Sequence, residues 1–427
     1  MRVAITGMGV VSPLGCSIDE LYDGLVAGTV TIREAPWATD GAARKMWWSM
    51  ATGFDPLDWM DRKVEEGTDL FAQFALAAAQ QALAQAGLGG DDAVATGGSR
   101  LPELRTAVVH GTSIGGVRAV MKAQHLLDAQ GPEAVPRKTM IQIWPNMAAA
   151  QLCMRYGLHG PSLTVTTACA SSIDAIGTAA RLIASGQADV AIAGGTEGGI
   201  SLAGGGVDGD FVPALFYAGG HYGMEAPATE AHTAMLPFDA HRTGIVTGEG
   251  SSMVVLESEA HAAARGATPL AWVRGYGSLA DGYHPSSPEP SGRWEARAME
   301  LAQAEASIGP AAVDAVIAHA TGTPKGDEAE IRALNDVFAD RVETLPVSSI
   351  KGHIGHSGAS AGGMGVIAGV MAMHHGRFPH TAGSSVPDPE IRFDALMGEA
   401  RAVDVDVLQV NAFGFGGQDA SLVVTRS

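Results

Sequence analysis

The run TVTTACASSIDAIG, Thr164 to Gly177, sets a lone thiol, Cys169, where a β-branched stretch meets a string of small residues. A thiol at a strand-to-helix turn is a nucleophile when it is deprotonated. The chain has three cysteines, Cys16, Cys153 and Cys169, with no CxxC pairing. Neither a disulfide framework nor a zinc site follows from that pattern. A single cysteine is more often a small buried hydrophobe than a reactive thiol, so the meaning of Cys169 depends on what other elements bring to it.

Those elements come in two copies. RTAVVHGTSIGG is a β-run ending in a polar, glycine-rich turn. LTVTTACASSIDAIGTAARLIASG reads as strand, turn and small-residue helix, and ADVAIAGGTEGG as a strand opening into glycines. The second half repeats the order with VDAVIAHATGT, then LPVSSIKGHIGHSGASAGGMGVIAGVMAMHHG, then VDVLQVNAFGFGGQDASLVV. Short continuous apolar strands suit a sheet covered on both faces, and their alternation with helices implies parallel or mixed pairing. Helices rich in Ala and Gly all round belong between sheets. The expected fold is α/β, a duplicated α-β-α-β-α layered sandwich of two pseudo-symmetric halves. The boundary falls near residue 260, giving halves 1–260 and 261–427 that pack as one unit.

The duplication gives the thiol its company. The turn matching that of Cys169 carries His356, in KGHIGH, and the preceding β-end of the second half carries His319, in AHATGT. In a pseudo-symmetric fold these turns face one another near the axis. A helix N-terminus beside Cys169 is expected to lower its pKa. Two imidazoles nearby can hydrogen-bond to an oxyanion or help deprotonate the thiol. No metal-ligand spacing stands out.

Composition narrows the setting. The chain has 427 residues, 46% hydrophobic and 17% charged, which fits a compact fold. The formal charge of −19 argues against nucleic acid and anionic membrane as partners. The longest nearly apolar run, Ala361 to Met373, falls short of the roughly 20 residues a bilayer requires. MRVAITGMGVVSPLG reads as strand and turn, not as a signal peptide, so a cytoplasmic location is expected.

The whole set of motifs resembles the β-ketoacyl-acyl carrier protein synthases of elongating type, ketosynthases of the thiolase superfamily. It covers GTSIGG, WPNMAAAQL, GLHGPSLTVTTACASS, PFDAHRTGIVTGEGSSMVVLE, DGYHPSSPEP, AHATGTPKGDEAE, SSIKGHIGHSGASAGG and NAFGFGGQDASLVV in order. The resemblance implies the thiolase-like fold and a decarboxylative condensation in fatty acid or polyketide assembly. Cys169 would carry the acyl group, and His319 and His356 would stabilise the enolate. The N–H groups of Cys169 and Phe415 would form the oxyanion hole, and Lys351 would order the site electrostatically. Ser286, Thr321 and Thr323 match positions touching the pantetheine arm. Phe415 matches the gating phenylalanine, and Ile114 the residue lining the acyl tunnel near a homodimer interface. The resemblance implies no metal and no cofactor of the enzyme's own, because the substrate rides on the phosphopantetheine of an acyl carrier protein. An acyltransferase or thioester hydrolase that never condenses is the alternative on the same fold.

Four departures from that family pattern stand out. Ala320 follows His319 where the family usually has Gly, and its methyl is expected to narrow the malonyl pocket or alter the turn. Gln418-Asp419 follow the gating loop where Thr or His and then Asn are usual. The stretch from Leu202 to Pro237 is longer than usual. Glu65, Glu66, Asp208 and Asp210 stand where a carrier-docking surface is normally basic, leaving Arg62, Lys63 and Lys122 for that role.

Overall fold

A computed structural model describes residues 2–34, 47–89, 101–198 and 230–427. Eleven strands form its main sheet: β1 Val3–Val11, β2 Thr106–Gly111, β3 Ser162–Val165, β4 Val190–Glu197, β5 Gly250–Ser258, β6 Ala271–Ala280, β7 Ala315–Ile317, β8 Pro346–Ser348, β9 Asp394–Ala395, β10 Val407–Gly414 and β11 Gln418–Arg426. Their order is β9-β8-β7-β10-β11-β6-β1-β5-β4-β2-β3.

Read outward from the β6–β1 pair, the two wings match. In each, two antiparallel pairings come first, β6–β11–β10 on one side and β1–β5–β4 on the other. Parallel pairings follow, β10–β7–β8 and β4–β2–β3. The wings join through Val3, Ala4 and Ile5 of β1 against Val273, Trp272 and Ala271 of β6. The expected two sheets are therefore hydrogen-bonded into one along a short seam.

Helices α4 (Ser171–Ala184) and α7 (Ala361–His375) pack on each other, and each touches strands of both wings. They form the central layer. Their small residues are what allow it: a Cβ on Gly362 would stand 2.5 Å from Ile173 Cγ1, and one on Gly177 would stand 2.2 Å from the Tyr276 ring. Every residue of α7 from Ala361 to Met373 is buried, as a helix without a polar face must be. Helix α1 (Leu70–Gln85) covers the first wing, with α3 (Met147–Tyr156) beside it, and α5 (Arg293–Ala306) covers the second, with α6 (Pro324–Val337) beside it. Gly7 and Gly9 of β1 lie so close to α1 that added Cβ atoms would stand 2.0 Å from the carbonyl oxygens of Ala82 and Ala78.

Among the described residues no helix is long and apolar enough to cross a membrane. Asp208 and Asp210, and Leu202 through residue 229, lie outside the described residues.

Candidate active site

Cys169 lies in the tight turn Ala168–Ala170 that runs straight into α4. Ala168 holds φ at +48°, a left-handed conformation that costs a non-glycine residue of order 1–3 kcal/mol. The hydroxyl of Ser171 secures the turn, accepting from the Thr167 N–H at 3.0 Å and donating to the Ala168 carbonyl at 2.7 Å. The β10–β11 hairpin approaches from above. A Cβ on Gly414 would stand 2.7 Å from the Thr167 oxygen and 3.1 Å from the Cys169 nitrogen, so the position requires the least bulky residue.

His319 leaves β7 two residues after its end. Glu330 of α6 reaches back under it, accepting the His319 N–H at 2.9 Å and the Ala320 N–H at 2.6 Å. Asp327, one turn earlier, accepts the N–H groups of Thr321 and Gly322 at 2.9 and 3.0 Å. His356 is pinned by its own backbone, its N–H donating to the Val246 carbonyl at 2.7 Å and its carbonyl accepting from Gly248 at 2.8 Å. The two imidazoles meet edge to face with centroids 5.3 Å apart, and the His319 ring meets Phe413 at 5.8 Å. Sγ of Cys169 and a ring nitrogen from each histidine all lie within 4.8 Å of one another.

Burial sets the protonation. Both imidazoles are held well below the ordinary histidine value by desolvation first and by the Lys351 charge second, so both are neutral. Among the described residues neither nitrogen of His356, nor Nδ1 of His319, has a hydrogen-bond partner. Lys351 is buried, not solvated, and its Nζ donates to the His319 carbonyl. Burial pulls it down to about 8, against the opposing pull of Glu330, Cys169 and Asp327.

The thiol departs from the sequence expectation. Desolvation pushes Cys169 up to about 11, and Glu197 adds to the rise. Lys351 and the backbone N–H groups of Phe415 and Cys169 itself oppose it without overcoming it. The helix terminus therefore does not deliver a standing thiolate, and the proton must leave as the reaction proceeds. Those same two N–H groups are the ones expected to form the oxyanion hole.

Of the remaining sequence-derived positions, Thr321 and Thr323 share a hydroxyl contact of 3.0 Å in the turn beyond His319. Ser286 sits in the loop whose Pro285 carbonyl accepts the Gly416 N–H at 2.8 Å, beside the half-exposed Phe415. Ile114 is partly exposed on the loop after β2, and the N–H groups of Ser113 and Ile114 serve the buried Glu197. Ala320 is buried in the apolar cluster of Phe238, Ile331 and Phe338. Glu66 is neutralised by Lys138 at 3.0 Å, which removes part of the acidic character expected there. Glu330 and Asp327 are the residues that sequence reasoning passed over. Their signal was present as two acids, three apart, opening the helix after AHATGT.

The β-ketoacyl synthase N-terminal domain family matches residues 1–262, and the β-ketoacyl synthase C-terminal domain family matches residues 270–385. The chain is 34% identical to the 3-oxoacyl-[acyl-carrier-protein] synthase 2 of Coxiella burnetii, covering 100% of this chain and 98% of that one. It is 35% identical to the protein of that name from Rhizobium meliloti, covering 100% and 99%. Among solved structures, a β-ketoacyl synthase from Burkholderia phymatum superposes with a TM-score of 0.87 at 33% identity, covering 100% of this chain and 99% of that one. The ishigamide ketosynthase/chain length factor superposes at 0.88 with 30% identity and the same coverage. With a thiol and two neutral imidazoles converging on one point of a duplicated fold, and both family domains matched in order, the chain belongs to the β-ketoacyl synthases and is an acyltransferase-type enzyme of that family.

Proposed function

We propose that the chain condenses an acyl group held on Cys169 with a malonyl-type thioester, giving a β-ketoacyl thioester for fatty acid or polyketide assembly. The observation that carries the reading is the meeting of the Cys169 thiol with two neutral imidazoles, of which both nitrogens of His356 and Nδ1 of His319 have no partner among the described residues. In the first half-reaction Sγ attacks the acyl thioester, the substrate C–S bond breaks, and the thiol proton passes through an imidazole to the departing pantetheine thiolate. The N–H groups of Cys169 and Phe415 stabilise the oxyanion. In the second, the C–C bond to the malonyl carboxylate breaks, CO2 leaves, and the electron pair becomes an enolate whose oxygen accepts from His319 and His356. The enolate carbon attacks the acyl carbonyl, the Cys169 C–S bond breaks, and the released thiolate takes up one proton from solvent to restore the thiol. Neutral imidazoles suit this task, since each donates an N–H without transferring a charge it must recover. Lys351 orders the site through the His319 carbonyl. An acyltransferase or hydrolase that stops at the acyl-enzyme would not use the paired donors facing the thiol.

Ser286, Thr321 and Thr323 serve the pantetheine arm of an acyl carrier protein, the partner named for the curated relatives. Arg62 and Lys63 on the short helix Arg62–Glu65, with Lys122 on α2 (Val117–Gln130), offer its acidic surface cations on adjoining elements, since α2 docks on α1 through the Ala119 N–H and Asp69 at 2.8 Å. The enzyme is a homodimer in the cytoplasm. Support for the dimer comes from β3, an end strand with exposed Leu163, flanked by exposed Trp144 and Met154. Ile114 lies toward that side and would bound the acyl chain.

Incubating the protein with acyl thioesters and measuring its intact mass should show one acyl adduct, mapped to Cys169, that disappears on adding a malonyl carrier thioester. The Cys169→Ser variant should carry none. An adduct mapped to Cys16 or Cys153 would overturn the reading.

A further inference from the structure

The loop carrying Phe415 rests on carboxyl groups. Hairpin β10–β11 reverses through Gly414–Gln418, and the first pair beneath the tip is Phe413 with Asp419. Leu279 of β6 flanks Asp419 on its other side. Asp419 is only 3% exposed, and its Oδ2 has no hydrogen-bond partner among the described residues. Across the tip stands Asp281, at the end of β6. Its N–H donates to the Gly417 carbonyl at 2.9 Å, and its two carboxyl oxygens accept the N–H groups of Tyr283 and Glu289 at 2.9 and 3.1 Å. Gly417, at φ +71°, lies so close that a Cβ would stand 2.0 Å from Asp281 Oδ1.

The charged groups bearing on Asp419 are Asp281 from the β6 end and Glu330 from α6, and Asp419 in turn bears on Glu295 of α5. All are acids. Glu330 has Lys351 and three hydrogen-bond donors, and Asp281 has its two N–H groups, but Glu295, also 3% exposed, leaves Oε2 unpartnered as Asp419 leaves Oδ2. So many buried carboxyls cannot all ionise, and the unpartnered ones are where protons stay.

We propose that Asp419 is a positioning residue for the condensation: it works as a neutral carboxylic acid beneath the Gly414–Gly417 tip, and loss of its proton to solvent lifts that tip, and the Phe415 N–H with it, away from the Cys169 thiol. The inference rests on the oxyanion role given to Phe415 above. An unpaired carboxylate formed here is relieved most cheaply by local opening, because the tip is tied down by few bonds, chiefly Gly416 N–H to Pro285 and Asp281 N–H to Gly417. Burial first, then Asp281 and Glu330, push Asp419 from its ordinary 3.8 up to about 7, so the hold on the tip weakens as pH rises between those two values and levels off above the upper one. An asparagine here would have the same shape and no proton to lose. The acid makes the gate respond to pH.

Hydrogen exchange of the segment 413–419, corrected for intrinsic rates, tests this on the whole protein. Wild type should lose protection by up to about tenfold per pH unit as pH rises from about 4 to about 7 and level off above that, whereas Asp419→Asn and Asp419→Ser should show no such loss. In parallel, the condensation rate of Asp419→Asn relative to wild type should climb over the same range. Equal pH dependence of exchange in wild type and both variants overturns the proposal. So does a response abolished by Glu295→Gln and kept in Asp419→Asn, which would put the proton on Glu295. An exchange difference without any condensation would instead refute the assigned reaction and leave the latch standing, whereas condensation with flat exchange would refute the latch alone.

Discussion

At Cys169 the thiol is held protonated by the same enclosure that makes its neighbours useful. Desolvation raises the thiol and lowers both imidazoles, leaving three neutral groups together. Such a site has little to reorganise before the transition state, the property from which donors aimed at developing charge draw their effect. Replacing His356 by Ala should therefore lower condensation about 100- to 1000-fold while the final extent of Cys169 acylation survives. Single-turnover assays with preformed acyl-enzyme separate the two steps, and near wild-type condensation would show the ring to be structural. The meeting of these three residues was legible because the chain repeats itself, which placed His319 and His356 opposite Cys169 without any contact being known. The protonation of the thiol was not legible. A helix end is visible in sequence, but the enclosure that outweighs it is assembled from β10–β11 and the loops after β7 and β8. Glu330 was missed for a related reason, since its bonds to His319 and Ala320 follow from α6 folding back under the turn.

Helices α4 and α7 decide how far apart the reacting groups stand, because Cys169 and His356 precede them by a few residues each. Glycine at the crossing is a packing device, and the all-round small-residue pattern announced it. What the pattern did not announce is the seam joining the wings, a three-residue pairing too short to leave a signature. Gly362→Val would drive a branched side chain into Ile173 and Ala412. Overfilling a close-packed core typically costs about 1–3 kcal/mol. Chemical denaturation should show a loss of at least that size, and the variant should acylate Cys169 more slowly, because the turn moves with the helix. Unchanged stability would mean that the layer is looser than described.

Across the molecule, β3 stands out: a short strand that ends the sheet among the described residues, with exposed Leu163 upon it. Such edges recruit partners. Light scattering should give twice the chain mass for wild type, and Leu163→Lys should shift the protein toward monomer, since a charge buried without a partner opposes association. A wild-type monomer would remove the homodimer. The acidic docking surface inferred from sequence needs less explanation than it did, because Lys138 already answers Glu66.

Strand β1 also carries a cost in time. It is made well before its neighbours in the sheet, β5, whose residues begin at 250, and β6, whose residues begin at 271. At about 5–20 residues per second, some 250 residues of synthesis take roughly 12–50 seconds. For that interval VAITGMGVV waits with both edges unpaired, an apolar strand open to any other nascent chain. A transcript broken before codon 250 would yield a product that can never close its first wing, so crowded expression and truncated messages should send this enzyme to chaperones and aggregates well before any defect at the thiol is felt.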